Sequence, residues 1–342
     1  MKHTREELAE LQALSVEEKV LRTQTRIIEW YLKHKGKVYV SFSGGKDSTV
    51  LLHIVRQIYP DVPAVYCDTG LEFPEVKEHV KRFDNVVILR PKMNFREVLE
   101  KYGWCYPSKD VANAIEYAKR GAVWAVNRMK GQDKDGVDSV FKQRYKRWNF
   151  LVDSPFLISD KCCGVMKKRP MHEYERETGR AKIIGTMADE SKARRDSWLK
   201  NGCNAFEGKA ARSAPLSFWT QQDIFAYIVK NDLPIPSVYG DIVKSKDGIY
   251  RTTGEQRTGC MFCPVGCHLD KENRWIRMRH THPKIYEYCM ETLGLREFLE
   301  YIGENLHKDF FEEQLDLFEE AKEHDEAEYE EPEEGEVFPR NR

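Results

Sequence analysis

The sequence predicts an α/β fold: a mostly parallel sheet with helices on both faces, followed by a small cysteine-rich subdomain toward the C-terminus. Three observations carry this. Short β-branched runs alternate with amphipathic helical segments, the pattern of strand–helix–strand units. The chain has 342 residues, enough to bury a substantial core. Hydrophobic residues make up 41% and charged residues 32%, the balance of a globular protein.

The elements follow in order. Residues 5–14 and 16–34 read as helices, and Ser15 with Glu18 forms a capping-box pattern ahead of the second. Val38–Phe42 is a strand. It leads into a helix over Thr49–Ile58, with Val50, Leu51, Ile54 and Ile58 on one face. Val62–Cys67 is the second strand, Glu75–Phe83 a helix, Asn85–Leu89 the third strand and Ala181–Gly185 the fourth. Residues 101–150 interrupt the alternation with helical, basic sequence, 11 Lys/Arg against 5 Asp/Glu. The organisation expected is N-terminal helices over 1–36, a nucleotide-binding α/β domain over 37–235 that carries the insertion, a cysteine-rich and helical region over 236–310, and an acidic, disordered tail over 321–342.

Charge is distributed unevenly. Residues 311–342 hold 14 Asp/Glu and 3 Lys/Arg, a net of −11, so with −1 for the whole chain residues 1–310 carry +10. A basic body suits an anionic partner such as a nucleotide or nucleic acid. The first twenty residues lack the apolar core of a signal peptide, and no stretch is long enough to span a bilayer. The expectation is a cytoplasmic protein with no membrane partner. There its nine cysteines serve as thiols, metal ligands or redox groups rather than as disulfides.

The stretch Ser43-Gly44-Gly45-Lys46-Asp47-Ser48 sits between the first strand and its helix. Glycines let such a turn adopt positive φ and let an oxyanion approach the backbone. The helix N-terminus, Lys46 and the hydroxyls of Ser43 and Ser48 add positive potential and donors. This is a cradle for phosphate or sulfate. It is not a Walker A loop, because Val40 stands where that pattern has glycine and Asp47 where it has Ser or Thr.

These residues resemble the PP-loop of the ATP pyrophosphatases, in particular the phosphoadenosine phosphosulfate (PAPS) reductase family and its iron–sulfur, adenylyl-sulfate-reductase-like branch. Other segments resemble that family in order: Cys67-Asp68-Thr69-Gly70 with Phe73-Pro74-Glu75, then Lys161-Cys162-Cys163 with Lys168 and Pro170. Gly185 through Arg195 follows, with Met187 where arginine is frequent, then Pro215-Leu216 with Trp219 and Asp223, and Gly259-Cys260 with Cys263. The resemblance spans residues 38–268. It implies a Rossmann-like adenine nucleotide alpha hydrolase fold with nucleotide at the carboxyl ends of the strands. By position it assigns Ser43, Gly44, Gly45, Lys46, Asp47, Ser48, Asp68 and Gly70 to the nucleotide, and Glu190, Ser191, Arg194 and Arg195 to the substrate. It implies either adenylylation from ATP with loss of pyrophosphate or reductive cleavage of an adenylyl sulfate, and the loop suits both. Mg²⁺ is compatible with an ATP substrate.

Two cysteine groups, Cys162-Cys163 and Cys260-x-x-Cys263, suggest one shared metal site. Adjacent cysteines point in different directions, which suits the several irons of a cluster better than one tetrahedral zinc. The resemblance implies a 4Fe-4S cluster on Cys162, Cys163, Cys260 and Cys263, with zinc or unmetallated thiols as alternatives. Cys267 is a spare, readable as a substitute ligand, a sulfur carrier or a plain thiol. His268, His280 and His282 read as structural.

One feature departs from the reductases. They carry a nucleophilic cysteine near the C-terminus, and this chain has none after Cys289. A hydroxyl or carboxylate does not replace a thiolate there. The leading reading is therefore ATP-dependent adenylylation and sulfur transfer to a nucleic acid or small molecule, with a sulfur or electron donor protein as a further partner. A sulfonucleotide reductase and a non-catalytic nucleotide- and cluster-binding regulator are the alternatives. Within 101–150, Trp124, Tyr145 and Trp148 either stack on bases or pack the insertion. The acceptor, the oligomeric state and the catalytic residues are not legible.

Overall fold

The structure is a computed structural model describing residues 2–140, 142–208, 211–270, 274–306 and 336–338. Apart from Glu336–Phe338, the acidic tail lies outside the described residues. Two compact units form: Met1–Pro91 with Arg169–Met261 and Glu334–Arg342, and Lys92–Lys168 with Phe262–Glu333.

The first unit holds the sheet. Its strands are β1 (Val38–Ser41), β2 (Ala64–Cys67), β3 (Val86–Leu89), β4 (Ala181–Ile184), β5 (Asn204–Ala205) and β6 (Arg212–Ser213). They lie in the order β3-β2-β1-β4-β6-β5, parallel throughout except for β5 against β6. Alternation along β1 explains why both faces are covered. Val38 and Val40 enter one apolar cluster with Leu51, Ile54 and Val55 of the helix Lys46–Ile58. Tyr39 points the other way, into a cluster with Val65 and with Tyr174 of the helix Arg169–Thr178. A continuous run of buried residues is what a parallel strand between helical layers needs, and each buried aliphatic side chain contributes about 1.5–3 kcal/mol.

The chain builds outward from β1 to β3 on one side, then returns to place β4 on β1's other side. The order reverses between β1 and β4, where open α/β sheets leave a crevice at the strands' carboxyl ends. The turn after β1 and the segment after β4 both emerge there. The helix Val16–Lys33 packs on this unit through a buried charge: Lys19, 1% exposed, donates from Nζ to Asp223 Oδ2 at 2.7 Å and to Gln12 O at 2.7 Å. Three further strands, β7 (Ile242–Lys244), β8 (Tyr250–Thr252) and β9 (Glu336–Phe338), form a small antiparallel sheet in the order β8-β7-β9.

The second unit is helical. It comprises Phe95–Tyr102, Lys109–Lys119, Val123–Met129, Lys142–Lys146, Arg274–Thr281, Pro283–Glu287 and Leu295–Leu306, with shorter turns. Aromatic rings fill its interior, with Tyr106 edge-on to Trp148 at 5.3 Å and to Phe298 at 5.8 Å. Among the described residues no helix is long and apolar enough to cross a membrane.

Candidate functional site

The turn Ser43–Ser48 is held by its own short side chains. Ser48 Oγ accepts from Ser43 N–H at 3.2 Å and donates to Gly45 O at 2.9 Å, and Ser43 Oγ accepts from Gly45 N–H at 3.4 Å. Gly44 has φ +74°, and a Cβ there would stand 2.6 Å from Val80 Cγ2 and 2.8 Å from Val76 Cγ1. The helix Pro74–Val80 therefore presses directly on the turn, and only glycine meets both the φ and the space. Gly45 caps the helix Lys46–Ile58 with no side-chain bond of its own.

Lys46 is the most enclosed charge at this turn, 3% exposed. Its Nζ lies 5.7 Å from the Phe225 ring centroid and 5.4 Å from that of Tyr239, and donates to Gln256 O at 3.3 Å. Two aromatic faces and a carbonyl stabilise a cation out of water. Its other neighbour is Asp47, whose Oδ1 lies 3.6 Å away and is buried with no hydrogen-bond partner. Tyr239 also accepts from Lys46 N–H at 3.3 Å, and its hydroxyl pairs with Thr258 Oγ1 at 2.7 Å. Burial, opposed by the Thr258 hydrogen bond, pushes the Tyr239 phenol up to about 12, so it stays a neutral hydroxyl. Thr258 Oγ1 and Tyr239 OH would lie 2.9 and 3.0 Å from a Cβ on Gly45. The stretch around Gln256–Thr258 thus lies over the turn.

Tyr239, Gln256, Thr258 and Phe225 escape a reading of sequence. Phe225 falls two places after Asp223, and Thr258 directly before Gly259-Cys260, but their approach to Lys46 spans some 180–210 residues, and no local pattern reports it.

Asp68 and Gly70 follow β2. Asp68 pairs with Lys77 at 2.9 Å and Arg90 at 3.7 Å, and accepts from Gly70 N–H at 3.3 Å. Burial opposes its ionisation, but Lys77, the Gly70 N–H and Arg90 outweigh it and hold the carboxyl below its ordinary range. Gly70, at φ +77°, faces open space.

After β4, a Cβ on Gly185 would stand 3.2 Å from Asp47 O, so this segment rests on the start of the helix carrying Lys46. Glu190 Oε1 accepts from Met187 N–H at 2.8 Å and pairs with Arg194. Ser191 caps the helix Lys192–Asn201 through Arg194 N–H. Arg195 is exposed and makes no ion pair among the described residues. The Pro215-Leu216, Trp219 and Asp223 segment has structural work instead. Trp219 Nε1 donates to Thr23 Oγ1 at 2.9 Å, while Asp223 caps its own helix and holds Lys19.

The cysteines divide between the units. Cys260 belongs to the first, where Met261 N–H donates to Leu71 O at 2.8 Å and ties the neighbouring residue to the turn after Gly70. Cys162, Cys163 and Cys263 belong to the second. There the electrostatic neighbours of Cys105 are Cys263, Cys163, Lys109 and Asp160, and Lys109 also hydrogen-bonds Cys163. Burial, reinforced by Cys263 and Cys163, pushes the Cys105 thiol up to about 12. Burial pushes Cys267 up to about 12 and raises Cys263, with Arg274 opposing both. Among the described residues no group of three His, Cys, Asp or Glu converges as a single metal ion requires. Soft sulfur suits iron or zinc in donor chemistry, and Lys109 beside Cys163 offsets thiolate charge, whereas Arg274 is already paired with Asp270 at 2.9 Å.

Of the insertion's aromatics, Tyr145 and Trp148 are buried, since Tyr145 OH is tied to Asp110 at 2.5 Å and Trp148 packs on Tyr106. Trp124 alone of the three is exposed.

A family model described as the phosphoadenosine phosphosulfate reductase domain matches residues 37–130 and 108–273, more than half of the chain. An uncharacterized protein of Methanocaldococcus jannaschii is 26% identical over 81% of this chain, which spans 53% of that protein's length. Adenosine 5'-phosphosulfate reductases of Staphylococcus haemolyticus and of a Bacillus cereus strain are 24% and 25% identical; the matches cover 62% and 73% of this chain and 70% and 84% of those proteins. Among solved structures, a phosphoadenylyl-sulfate reductase of Candida auris aligns at 17% identity and TM-score 0.36, over 69% of this chain and 91% of that one.

Proposed function

We propose a function from one premise: the chain belongs to the phosphoadenosine phosphosulfate reductase family. It binds ATP at Ser43–Ser48 and adenylylates an acceptor for sulfur transfer. An acceptor oxygen attacks the α-phosphorus, the bond to the bridging oxygen breaks, pyrophosphate leaves with the electron pair, and the acceptor proton passes to solvent. A donor of the sulfide class then displaces AMP: its sulfur bonds to the acceptor carbon as the carbon–oxygen bond breaks, and AMP leaves with the electron pair. Lys46 and the turn's N–H groups stabilise charge growing on pyrophosphate, which is electrostatic work at a preorganised site. Asp47 is positioned to share a Mg²⁺ with the phosphates. Asp68 and Gly70 line the nucleoside side. Glu190 and Ser191 hold the segment after β4, and Arg195, unlike the Glu190-bound Arg194, is the arginine available to substrate.

The observation that carries this choice is Cys289. Its thiol is 0% exposed, and burial raises it well above the ordinary range of a thiol. A reductase needs a reachable thiolate to take the sulfo group. Cys162, Cys163, Cys260 and Cys263 are assigned a 4Fe-4S cluster, with zinc as the alternative metal. When bound, such a cluster supplies electron transfer and an iron able to hold sulfide.

The names of the Staphylococcus and Bacillus relatives favour a second reading, sulfonucleotide reduction to sulfite. Anaerobic incubation with ATP, adding RNA, DNA or sulfide in turn, is expected to give AMP and pyrophosphate. Sulfite release from adenylyl sulfate, with a sulfo adduct on Cys267 or Cys289 by mass spectrometry, would establish the second reading instead.

A further inference from the structure

We infer that the second unit carries a binding surface for a single-stranded nucleic acid, centred on Tyr117 and Trp124. It lies on the helices Lys109–Lys119 and Val123–Met129 and the turn between them. The inference rests on the acceptor reading above only for the strand's role in turnover; binding itself stands on this surface.

The aromatic rings of this unit differ in exposure. Trp104, Tyr106, Tyr145 and Trp148 are buried and account for its packing. Tyr117 and Trp124 remain 36% and 37% exposed, with ring centroids 5.4 Å apart, and the adjoining Val123 is 69% exposed. Two large rings left in water beside each other do not serve the core.

Cations surround them. Arg120 lies 6.0 Å and Lys161 Nζ 5.7 Å from the Tyr117 centroid, and Arg128 lies 5.5 Å from that of Trp124. Buried Glu116 fixes Arg120 at 2.8 Å and Lys161 at 3.0 Å, and Asp110 holds Arg144 at 3.2 Å. Held this way, the arginines are oriented in advance. Farther along, exposed Lys130, Lys146 and Arg147 make no ion pair among the described residues. Aromatic rings flanked by basic side chains match a strand whose bases are unstacked: bases lie on the rings while phosphates meet the cations. A duplex hides those base faces, and an acidic polypeptide supplies charge without them.

The test is fluorescence anisotropy with end-labelled 12-nucleotide RNA and DNA strands of one sequence, titrated with full-length protein. A duplex and poly-glutamate serve as competitors. Wild type is expected to bind strand in preference to both competitors. The pair Tyr117→Ala/Trp124→Ala should weaken binding about tenfold or more. Lys130→Gln/Lys146→Gln should instead lower the salt dependence, by about 0.7 in the log–log slope for each phosphate no longer neutralised. Circular dichroism establishes that each variant is folded. Equal binding by the aromatic variant, competition by poly-glutamate at equal strength, or no binding of either strand would overturn the inference. Pyrophosphate release measured alongside separates the two readings. Turnover on a small acceptor without strand binding sinks only this surface, and strand binding without pyrophosphate sinks only the adenylylation.

Discussion

In the first unit, Ser43, Gly45 and Ser48 find partners within five residues of each other, and the helix that completes the cradle starts inside the same turn. In the second, Cys105, Cys163 and the Cys263–Cys267 pair come from three separate stretches of chain, with Lys109 near Cys105 and Cys163 and Arg274 near Cys263 and Cys267. The difference is one of entropy. A local turn closes at little cost, whereas gathering distant thiols requires the surrounding helices to fold first. The phosphate cradle is therefore built into the backbone. Burial raises the Cys105, Cys263 and Cys267 thiols, which favours a protonated state that a bound cluster would convert to thiolate.

The largest effects should fall on the first unit and should separate function from folding. Lys46→Ala is expected to lower nucleotide-dependent turnover about a hundredfold while leaving the urea midpoint near wild type. Asp223→Ala should do the reverse, because it strands the Lys19 charge in the core. A loss of about 3 kcal/mol is expected, with nucleotide affinity of the folded fraction retained by calorimetry. If Asp223→Ala abolished binding in stable protein, that residue would belong to the site rather than to the scaffold.

An effect of similar size appears with pH. His79 is buried, and its ring shares a hydrogen bond with Thr49 Oγ1 at 3.1 Å, one turn into the helix that starts at Lys46. Burial, helped by Arg82, lowers its pKa from 6.5 to about 4. The unfolded chain takes up the proton first as pH falls, so this stabilisation is complete above pH about 6.5 and is lost progressively toward pH about 4, roughly 3 kcal/mol in all. Denaturation across that window should show wild type losing roughly 3 kcal/mol relative to His79→Gln toward the acid end. Parallel curves would mean that His79 is not held neutral.

The same contrast explains what the sequence disclosed. β1 to β4 and the turn after β1 were legible because apolar runs, glycines and a helix start lie side by side, and each has a local cause. β5 and β6 were not, being two residues long and set only by pairing with each other and with β4. Nor was the enclosure of Lys46, since Tyr239 and Gln256 reach it across 193 and 210 residues. Trp124 and Trp148 look alike in sequence. Only the packing of Tyr106 against Trp148 distinguishes the buried ring from the exposed one.

The smallest effect on stability is expected in the second unit. Cys163→Ser should change folding by no more than about 0.5 kcal/mol, yet anaerobically purified variant should lack the iron expected in wild type. Iron retained in Cys163→Ser but lost in Cys267→Ser would reassign the ligands. Stoichiometric zinc without iron in wild type would replace the cluster altogether.

The assignment proposed for the Ser43–Ser48 turn is the pyrophosphate of ATP rather than the sulfate of an adenylyl sulfate. Its most direct measurement is a single anaerobic reaction containing both nucleotides, a thiol reductant and a candidate acceptor, with pyrophosphate and sulfite quantified together for wild type and Lys46→Ala. Pyrophosphate that appears with AMP, needs the acceptor and vanishes in Lys46→Ala, with no sulfite, is the result predicted. Sulfite without pyrophosphate, equally dependent on Lys46, would contradict it.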